Sequence, residues 1–597
     1  MCINFSSVRS FAWEWMDVMT KRLFLALIRT IISLTAVRNL ASDIPDLADN
    51  TDPNLKGASG ISESSKSPFW IADAATGLST LYNSVGDVIP LVVTIPPSKA
   101  GGSTGTPTGT VNNSTTGFAI ASGDPASFLF DTLDGTISGW NSSVNKTQAV
   151  VMVDNSGQGA VYTGLALGVN GSNTYLYAAN LSAGTIDVFD SNFTAVVLPN
   201  GFQDSQIPAG YAPFNIQNLG GNLYVTYALQ NSGKNFAVPG VGNGYVDVYS
   251  TAGTLIQHLI AGGVLNAPWG VAIAPANFGD FANDLLVANF GDGTINAFNP
   301  TTGAFVATLN DAYGSPIVVP GIWALQAGNG GSGGDANAIY FTAGVPGPDG
   351  GEHGLLGRLQ AAPVVSAANV VNGASFQSTL APNTWVSITG ANLSGTTRIW
   401  DSDDFVANAL PTDIDSVSVT VNGMRAYVEY VSPAQLNVLL PVGTPQGAVT
   451  LETYSFGLTG DAVTVQVQAV APAFFMQSDG KHILATHADG SLVGPAGSTG
   501  ATPAAPGETV VCYGTGFGAT NPAAPEGLVI TTPLPLATAP TVMFGSTPGQ
   551  VLYSALTYAG LFQINVTIPT SAPSGDVPVV AQVGSVSSLS TAVIAVQ

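Results

Sequence analysis

The chain has 597 residues, with 14 Lys and Arg against 37 Asp and Glu. The resulting net charge of −23 excludes nucleic acids and anionic membrane surfaces as partners, since both need clustered cations. Charged residues reach only 9 %, while Gly numbers 70 and Pro 38, a composition of strands and turns that is too apolar, at 45 % hydrophobic, for disorder.

At the N-terminus, Lys21 and Arg22 precede an apolar run over residues 23–36, interrupted by Arg29. The run is short for a membrane span and suits the core of a secretory signal, with residues 1–18 read as an over-called start before Met19. Residues 1–37 are therefore expected to be a signal or mis-started leader, and the mature protein to be secreted. No later stretch is apolar and long enough to span a bilayer, so an integral membrane protein is not expected. The two cysteines are Cys2 and Cys512. Cys2 lies where processing would remove it, so no intramolecular disulfide framework is expected.

Six related segments follow: TGLSTLYN, DGTISGWN, AGTIDVFD, NGYVDVYS, DGTINAFN and HGLLGRLQ. Their aligned glycines are Gly77, Gly135, Gly184, Gly244, Gly293 and Gly354, spaced 49 to 61 residues apart. An apolar strand precedes each glycine, from FWIAD in the first copy to IYFTA in the last. Most copies carry a Gly-containing strand before that and a fourth candidate after it. Four short strands per repeat predict one propeller blade, and six repeats predict a six-bladed propeller over 38–361. The stretch NFGDGT at 289–294 then reads as the hairpin turn between the second and third strands, with glycine supplying a positive φ. The sixth repeat ends without a fourth strand, while AVRNLASD at 36–43 stands alone before the first. Pairing the two would close the ring and remove a free edge.

Beyond Pro363 a second internal repeat appears. PNTWVSITGANLSG parallels PGETVVCYGTGFGA, and QLNVLLPVGTPQGAVTLET parallels FQINVTIPTSAPSGDVPVV, at offsets of 124 and 128 residues. Two immunoglobulin-like β-sandwich domains, over 362–470 and 471–597, are expected. The fold class is thus all-β.

NLASDIPDLADNTDPNL, FWIADAATGLSTLYN and PWGVAIAPANFGDFANDLLVANFGDGTINAFNPTTG carry a resemblance to an uncharacterised family of bacterial extracellular propellers related to NHL repeats, covering residues 38–360. NGASF, VSITGANL, YVSPAQLNVLLP, APAFF and YGTGFG make residues 363–597 resemble the two-part C-terminal domain of many secreted acidobacterial proteins. One departure is LKGASGISES at 55–64, which lacks the Asn/Pro-Trp-Gly expected before the first strand. The resemblance implies an extracellular propeller and carries no catalytic residues to transfer.

Motifs that suggest chemistry have plainer readings. YGTGFGA fits a dinucleotide-binding pattern, yet TNPAAPEG follows it and cannot form the helix such a site needs. GGSTG at 101–105 fits a nucleophile elbow without the flanking strand and helix. GGSGGD at 330–335 is a single copy of a calcium motif that works by tandem stacking, and DSDDFVANALPT lacks the Gly and Glu of an EF-hand loop. Of His258, His353, His482 and His487, none has the neighbours of a zinc set. His353, after Glu352 at a blade turn, reads either as a ligand residue or as part of a surface turn.

Asp73, Asp131, Asn180 and Asn289 end the second strand in four repeats. In a ring they form a polar crown near one mouth that would hold calcium or sugar, or they cap their own turns. Trp269 and Trp323 would serve as stacking platforms or pack between blades. The leading expectation is a non-catalytic binding or adhesion protein whose propeller face holds a glycan, peptide or cell-envelope partner, with no cofactor unless calcium fills the crown. A metal-dependent, lactonase-like hydrolase or lyase with a central-channel site is the alternative, and a surface or matrix structural protein is a third.

Overall fold

The computed structural model describes residues 34–347 and 350–597. The leader read from the sequence therefore lies almost wholly outside the described residues, as does Cys2. Among the described residues the secondary structure is strands with three short 3-10 turns, and no helix is long and apolar enough to cross a membrane. The chain divides into two compact units at Ala361.

The first unit holds six sheets of four or five strands besides a two-stranded ribbon. Ala58–Ser62, Phe69–Asp73, Leu78–Tyr82 and Val88–Thr94 make sheet one. Sheets two to five repeat that simple up-and-down order, beginning with Pro107–Asn112, Tyr162–Asn170, Tyr211–Leu219 and Pro268–Ile273. Sheet six starts with Ile322–Ala327 and Ile339–Ala343, continues through Leu355–Ala361, and takes Thr35–Ser42 as an antiparallel neighbour of that last strand. The first strand of the described chain is thus hydrogen-bonded to the last strand of the unit, with Asn50–Thr51 pairing in parallel on its outer side.

The first strands of the six sheets touch in cyclic order, the sixth against the first, which makes the unit β-propeller-like. Close approach is permitted by glycine. A Cβ on Gly60 would lie 2.3 Å from the Thr108 carbonyl of the next sheet, one on Gly109 2.6 Å from Leu165 N, and one on Gly270 2.3 Å from the Trp323 carbonyl. Side chains then stitch neighbours together. Ser59 Oγ donates to the Thr108 carbonyl at 3.1 Å, Thr108 Oγ1 to the Tyr162 carbonyl at 2.9 Å, and Asn215 Nδ2 to the Trp269 carbonyl at 2.9 Å. Thr342 Oγ1 donates to the Ser59 carbonyl and so ties sheet six to sheet one. Sheet one packs fully despite its divergent start, since all of Ala58–Ser62 is buried.

The hairpin reading of NFGDGT holds: Asn289 N donates to the Thr294 carbonyl and Gly293 N to the Asn289 carbonyl, each at 2.9 Å, with Gly293 at φ 79°. Positive φ does not explain every aligned glycine, however. Gly244 and Gly354 lack it, and are required instead by crowding, against the Pro268 ring and against the Leu55 carbonyl respectively.

In the second unit, two sheets built from strands between Val364 and Val467 enclose a core of Val370, Val386, Ile388, Val419, Leu436 and Leu451. Strands from Ala473–Phe474 to Val593–Val596 join one hydrogen-bonded network of twelve around a second core that includes Phe474, Phe517 and Phe562. Cys512 is buried in this core and is a free thiol.

A candidate functional site between the third and fourth sheets

The candidate site grows from a hairpin in sheet four. Tyr245–Tyr249 and Leu255–Ala261 run antiparallel, and their register sets Asp247 opposite His258. Strand alternation puts Tyr245, Asp247 and Tyr249 on one face. The loop over residues 197–210, which joins sheets three and four, carries Asp204 to the same spot. His258 Nδ1 lies 2.8 Å from Asp247 Oδ1 and 2.7 Å from Asp204 Oδ2. Tyr249 Oη donates to Asp247 Oδ2 at 3.0 Å and pairs with Tyr227 Oη at 2.9 Å. Tyr245 rests its ring against His258 and meets Tyr211 edge-on at 4.9 Å between ring centres.

Burial raises the Asp247 carboxyl to about 6, against the pull of Tyr249 and His258. The phenols of Tyr227 and Tyr249 are pushed upward by burial, with the nearby carboxylates adding to the effect. Above this cluster opens a groove of about 860 Å³, lined by Asp187, Phe202, Asp204, Tyr211 and Tyr227 among others. Asp187 is held in place by Tyr162 Oη and Asn180 Nδ2, both 2.9 Å from its Oδ2. The groove therefore offers carboxylate acceptors and aromatic side chains together, an arrangement suited to a polyhydroxylated ligand with both polar and apolar faces.

A second, smaller cavity of about 270 Å³ runs between the first strands and is lined by Glu63, Asn112, Gln217, Asn218, Gln326 and Trp269 among others. Burial raises the Glu63 carboxyl to about 8. Trp269 and Trp323 meet edge-on at 5.5 Å, and Trp323 packs on Phe290 at 4.6 Å. The Trp269 indole donates to the Thr163 carbonyl at 2.8 Å. Both indoles are thus engaged with the protein's own core.

Asp73, Asp131, Asn180, Asn289 and His353, singled out from the sequence, are dispersed, and none of these five lines this cavity, although Trp269 does. Asp73 is fully buried, accepts from Thr80 Oγ1 at 2.8 Å, and has its carboxyl pushed well above the usual range by burial, with Asp52 and Asp43 reinforcing the shift. Asp131 accepts from Thr108 Oγ1 at 2.9 Å and Gly109 N at 2.5 Å, and burial raises it to about 6. Asn180 and Asn289 bind backbone of their own turns and of the strand connection beside them, through contacts such as Asn180 Oδ1 with Ala183 N and Asn289 Oδ1 with Asn266 N. His353 is 8 % exposed rather than on the surface, because Asp43 from the N-terminal segment covers it at 2.7 Å. His482 lies between Asp479 and Asp576, and His487 against Glu508.

Asp204 and Asp247 were not legible as a pair with His258. One signal was available: of the six aligned segments, only AGTIDVFD and NGYVDVYS place an acid, Asp187 and Asp247, at the third position after the glycine. Those are the two carboxylates that strands three of sheets three and four bring to the groove and its floor.

No family model matches the chain. Among solved structures, it aligns with streptogramin B lyase at 14 % identity and TM-score 0.33, over 55 % of this chain and 98 % of that one. It aligns with a glucose dehydrogenase at 13 % and 0.35, over 54 % and 98 %, and with a protein of unknown function from Bacteroides thetaiotaomicron at 12 % and 0.35, over 55 % and 76 %. In sequence it is 31 % identical over 338 residues to the uncharacterised protein R648 of Acanthamoeba polyphaga mimivirus, which spans 55 % of this chain and 81 % of the relative. It is also 31 % identical over 341 residues to that virus's uncharacterised protein L690, spanning 55 % and 87 %. The chain belongs to the family of these mimivirus proteins.

Proposed function

We propose that the protein is a secreted, non-catalytic binding protein, a six-bladed propeller followed by two immunoglobulin-like sandwiches, that holds a glycan in the groove between its third and fourth sheets. The observation that carries this reading is the groove itself, about 860 Å³, with Asp187 and Asp204 as acceptors and Phe202, Tyr211 and Tyr227 as aromatic surfaces. Sugars are bound by that combination, hydroxyls bonding to fixed carboxylates while C–H faces rest on aromatic rings. The six cyclically packed sheets support the blade count, and the paired cores of the second unit support the sandwiches. The low content of Lys and Arg fits export and a neutral partner.

Isothermal titration of the whole protein against cello-, xylo- and chito-hexaose tests this. Saturable binding to one of them is expected, weakened at least about ten-fold in Tyr211→Ala, with no new reducing ends appearing. Binding unaffected by Tyr211→Ala, or cleavage of the bound sugar, would overturn the reading.

A further inference from the structure

The floor of the groove contains a carboxylate with an unmet need. Asp204 Oδ2 sits in a side chain that is 2 % exposed and lies 2.7 Å from His258 Nδ1. That nitrogen carries at most one hydrogen, which is directed to Asp247 Oδ1 at 2.8 Å. Asp204 Oδ2 is left without a hydrogen-bond donor among the described residues. A buried carboxylate oxygen in that position is costly, and a second carboxylate opposite makes it more so. One proton between three electronegative atoms does not satisfy them; one cation would.

The geometry points to a binding site for a first-row divalent transition cation, of which zinc is the type, held by Asp204, Asp247 and His258. The three ligand atoms lie within 4.8 Å of one another. Tetrahedral ligands at about 2.0–2.2 Å stand about 3.4 Å apart, a little wider than the 2.7 and 2.8 Å from His258 Nδ1 to the two carboxylates, so small side-chain rotations suffice. The remaining oxygens are already held as outer partners hold metal ligands: Asp204 Oδ1 accepts from Gln206 N at 2.8 Å, and Asp247 Oδ2 from Tyr249 Oη. Asp204 and Tyr227 also line the groove, which leaves a fourth position open to water or to a ligand oxygen. A mixed donor set of one imidazole and two carboxylates suits zinc-like ions; calcium takes six to eight oxygens and is poorly served by it.

The inference is independent of the glycan reading, because the cation is measured with no sugar present. The whole protein is stripped with EDTA, dialysed, and titrated with zinc chloride by calorimetry, with bound metal counted by mass spectrometry. One equivalent is expected, together with a rise in melting temperature that EDTA reverses. Asp204→Asn and His258→Gln are each expected to weaken binding at least about 100-fold, and Tyr249→Phe about ten-fold. Asp204→Asn should fold normally, since it removes a buried charge, and its circular dichroism confirms that the loss is of a ligand. His482→Gln, in the second unit, should bind as the parent does. Cobalt(II) should give d–d absorption bands that Asp204→Asn lacks. Less than about a fifth of an equivalent of zinc, or equal binding by parent and Asp204→Asn, would overturn the assignment.

Discussion

His353 Nδ1 lies 2.7 Å from Asp43 Oδ2, joining residues 310 positions apart. The contact is one part of a clasp. Gly354 N donates to Asp43 Oδ1 at 2.9 Å, Ser42 Oγ donates to the Gly354 carbonyl at 2.7 Å, and Lys56 Nζ stands 3.6 Å from the same carboxylate. The His353 and Gly354 contacts fasten the end of Thr35–Ser42 to the hairpin of sheet six, and Lys56 adds a contact from the connection into sheet one. The Asp43 side chain is 1 % exposed and that of His353 11 %, so removing the imidazole takes a partner from a buried carboxylate. His353→Ala is expected to lower the stability of the first unit by about 3 kcal/mol, the usual penalty for stranding one member of a buried pair. Urea unfolding followed by tryptophan fluorescence checks it; a loss below about 0.5 kcal/mol would mean that strand pairing closes the unit unaided.

The glycines of the first strands are expected to be intolerant for a reason unrelated to turns. Gly109 would place a Cβ 2.6 Å from Leu165 N and 2.8 Å from Asp131 Oδ1, and Gly270 one 2.9 Å from Leu325 N. Since backbone cannot swing aside, Gly109→Ala or Gly270→Ala should each cost about 1–3 kcal/mol, with the groove between neighbouring sheets widened. Gly157→Ala is the control, because nothing lies within 4 Å of its added Cβ. Differential scanning calorimetry of the three variants separates the two classes.

Much of this architecture is legible in the amino-acid sequence. The spacing of aligned glycines, the apolar runs such as LLVAN before them and the polar turn NFGDGT all derive from local rules: alternation, turn chemistry and repetition. Contacts that depend on where distant segments meet were not readable. His353 looked like a surface turn because its neighbours Glu352 and Gly354 are turn residues, and nothing nearby announces Asp43. Asp204 sits in a loop with no periodicity, so its approach to His258 exists only once sheets three and four are packed. Asp73 and Asn289 were visible as strand ends, but whether such a residue faces a cavity or its own turn is decided by the neighbouring sheet.

Stability is expected to fall as pH rises from about 4 to about 8. Asp131 is raised by burial to about 6 from 3.8, and Glu63 likewise to about 8 from 4.5. A carboxyl whose folded value exceeds its unfolded one stabilises the fold fully below the unfolded value, and that contribution is lost as pH climbs through the folded one. His482 and His487, raised above 6.5 by their carboxylate partners despite burial, act in the same direction, below 6.5 and then lost with rising pH. For Asp131 the shift corresponds to about 3 kcal/mol, because one pKa unit is about 1.4 kcal/mol. Asp131→Asn keeps an acceptor for Thr108 and Gly109 while removing the charge. Its melting temperature should match the parent's at pH 4 and exceed it at pH 8; an equal gap at both would refute the account.

The second unit should unfold as one body although its sequence repeats. Trp385 Nε1, from the first half, donates to the Ala559 carbonyl of the second at 3.0 Å, and the indole is 9 % exposed. Glu526 reaches back from the second half to accept from Tyr427 Oη at 2.7 Å, Val442 N at 3.1 Å and Gly443 N at 2.9 Å. Backbone crosses as well, with Leu410 N donating to the Gly527 carbonyl at 2.8 Å and Val529 N to the Asn408 carbonyl at 3.0 Å. Two halves bonded in this way share their free energy, so calorimetry should resolve one transition for residues 362–597. Glu526→Ala strips three donors of a charged acceptor and should cost about 1–2 kcal/mol, reduced from the buried value because Glu526 itself is exposed. Trp385→Phe leaves the Ala559 carbonyl buried without its donor and should cost a similar amount. In the double variant the coupling between halves is weakest, and the single transition is expected to split into two. Two transitions already present in the parent protein would show that the halves are independent and that these bonds contribute nothing to cooperativity.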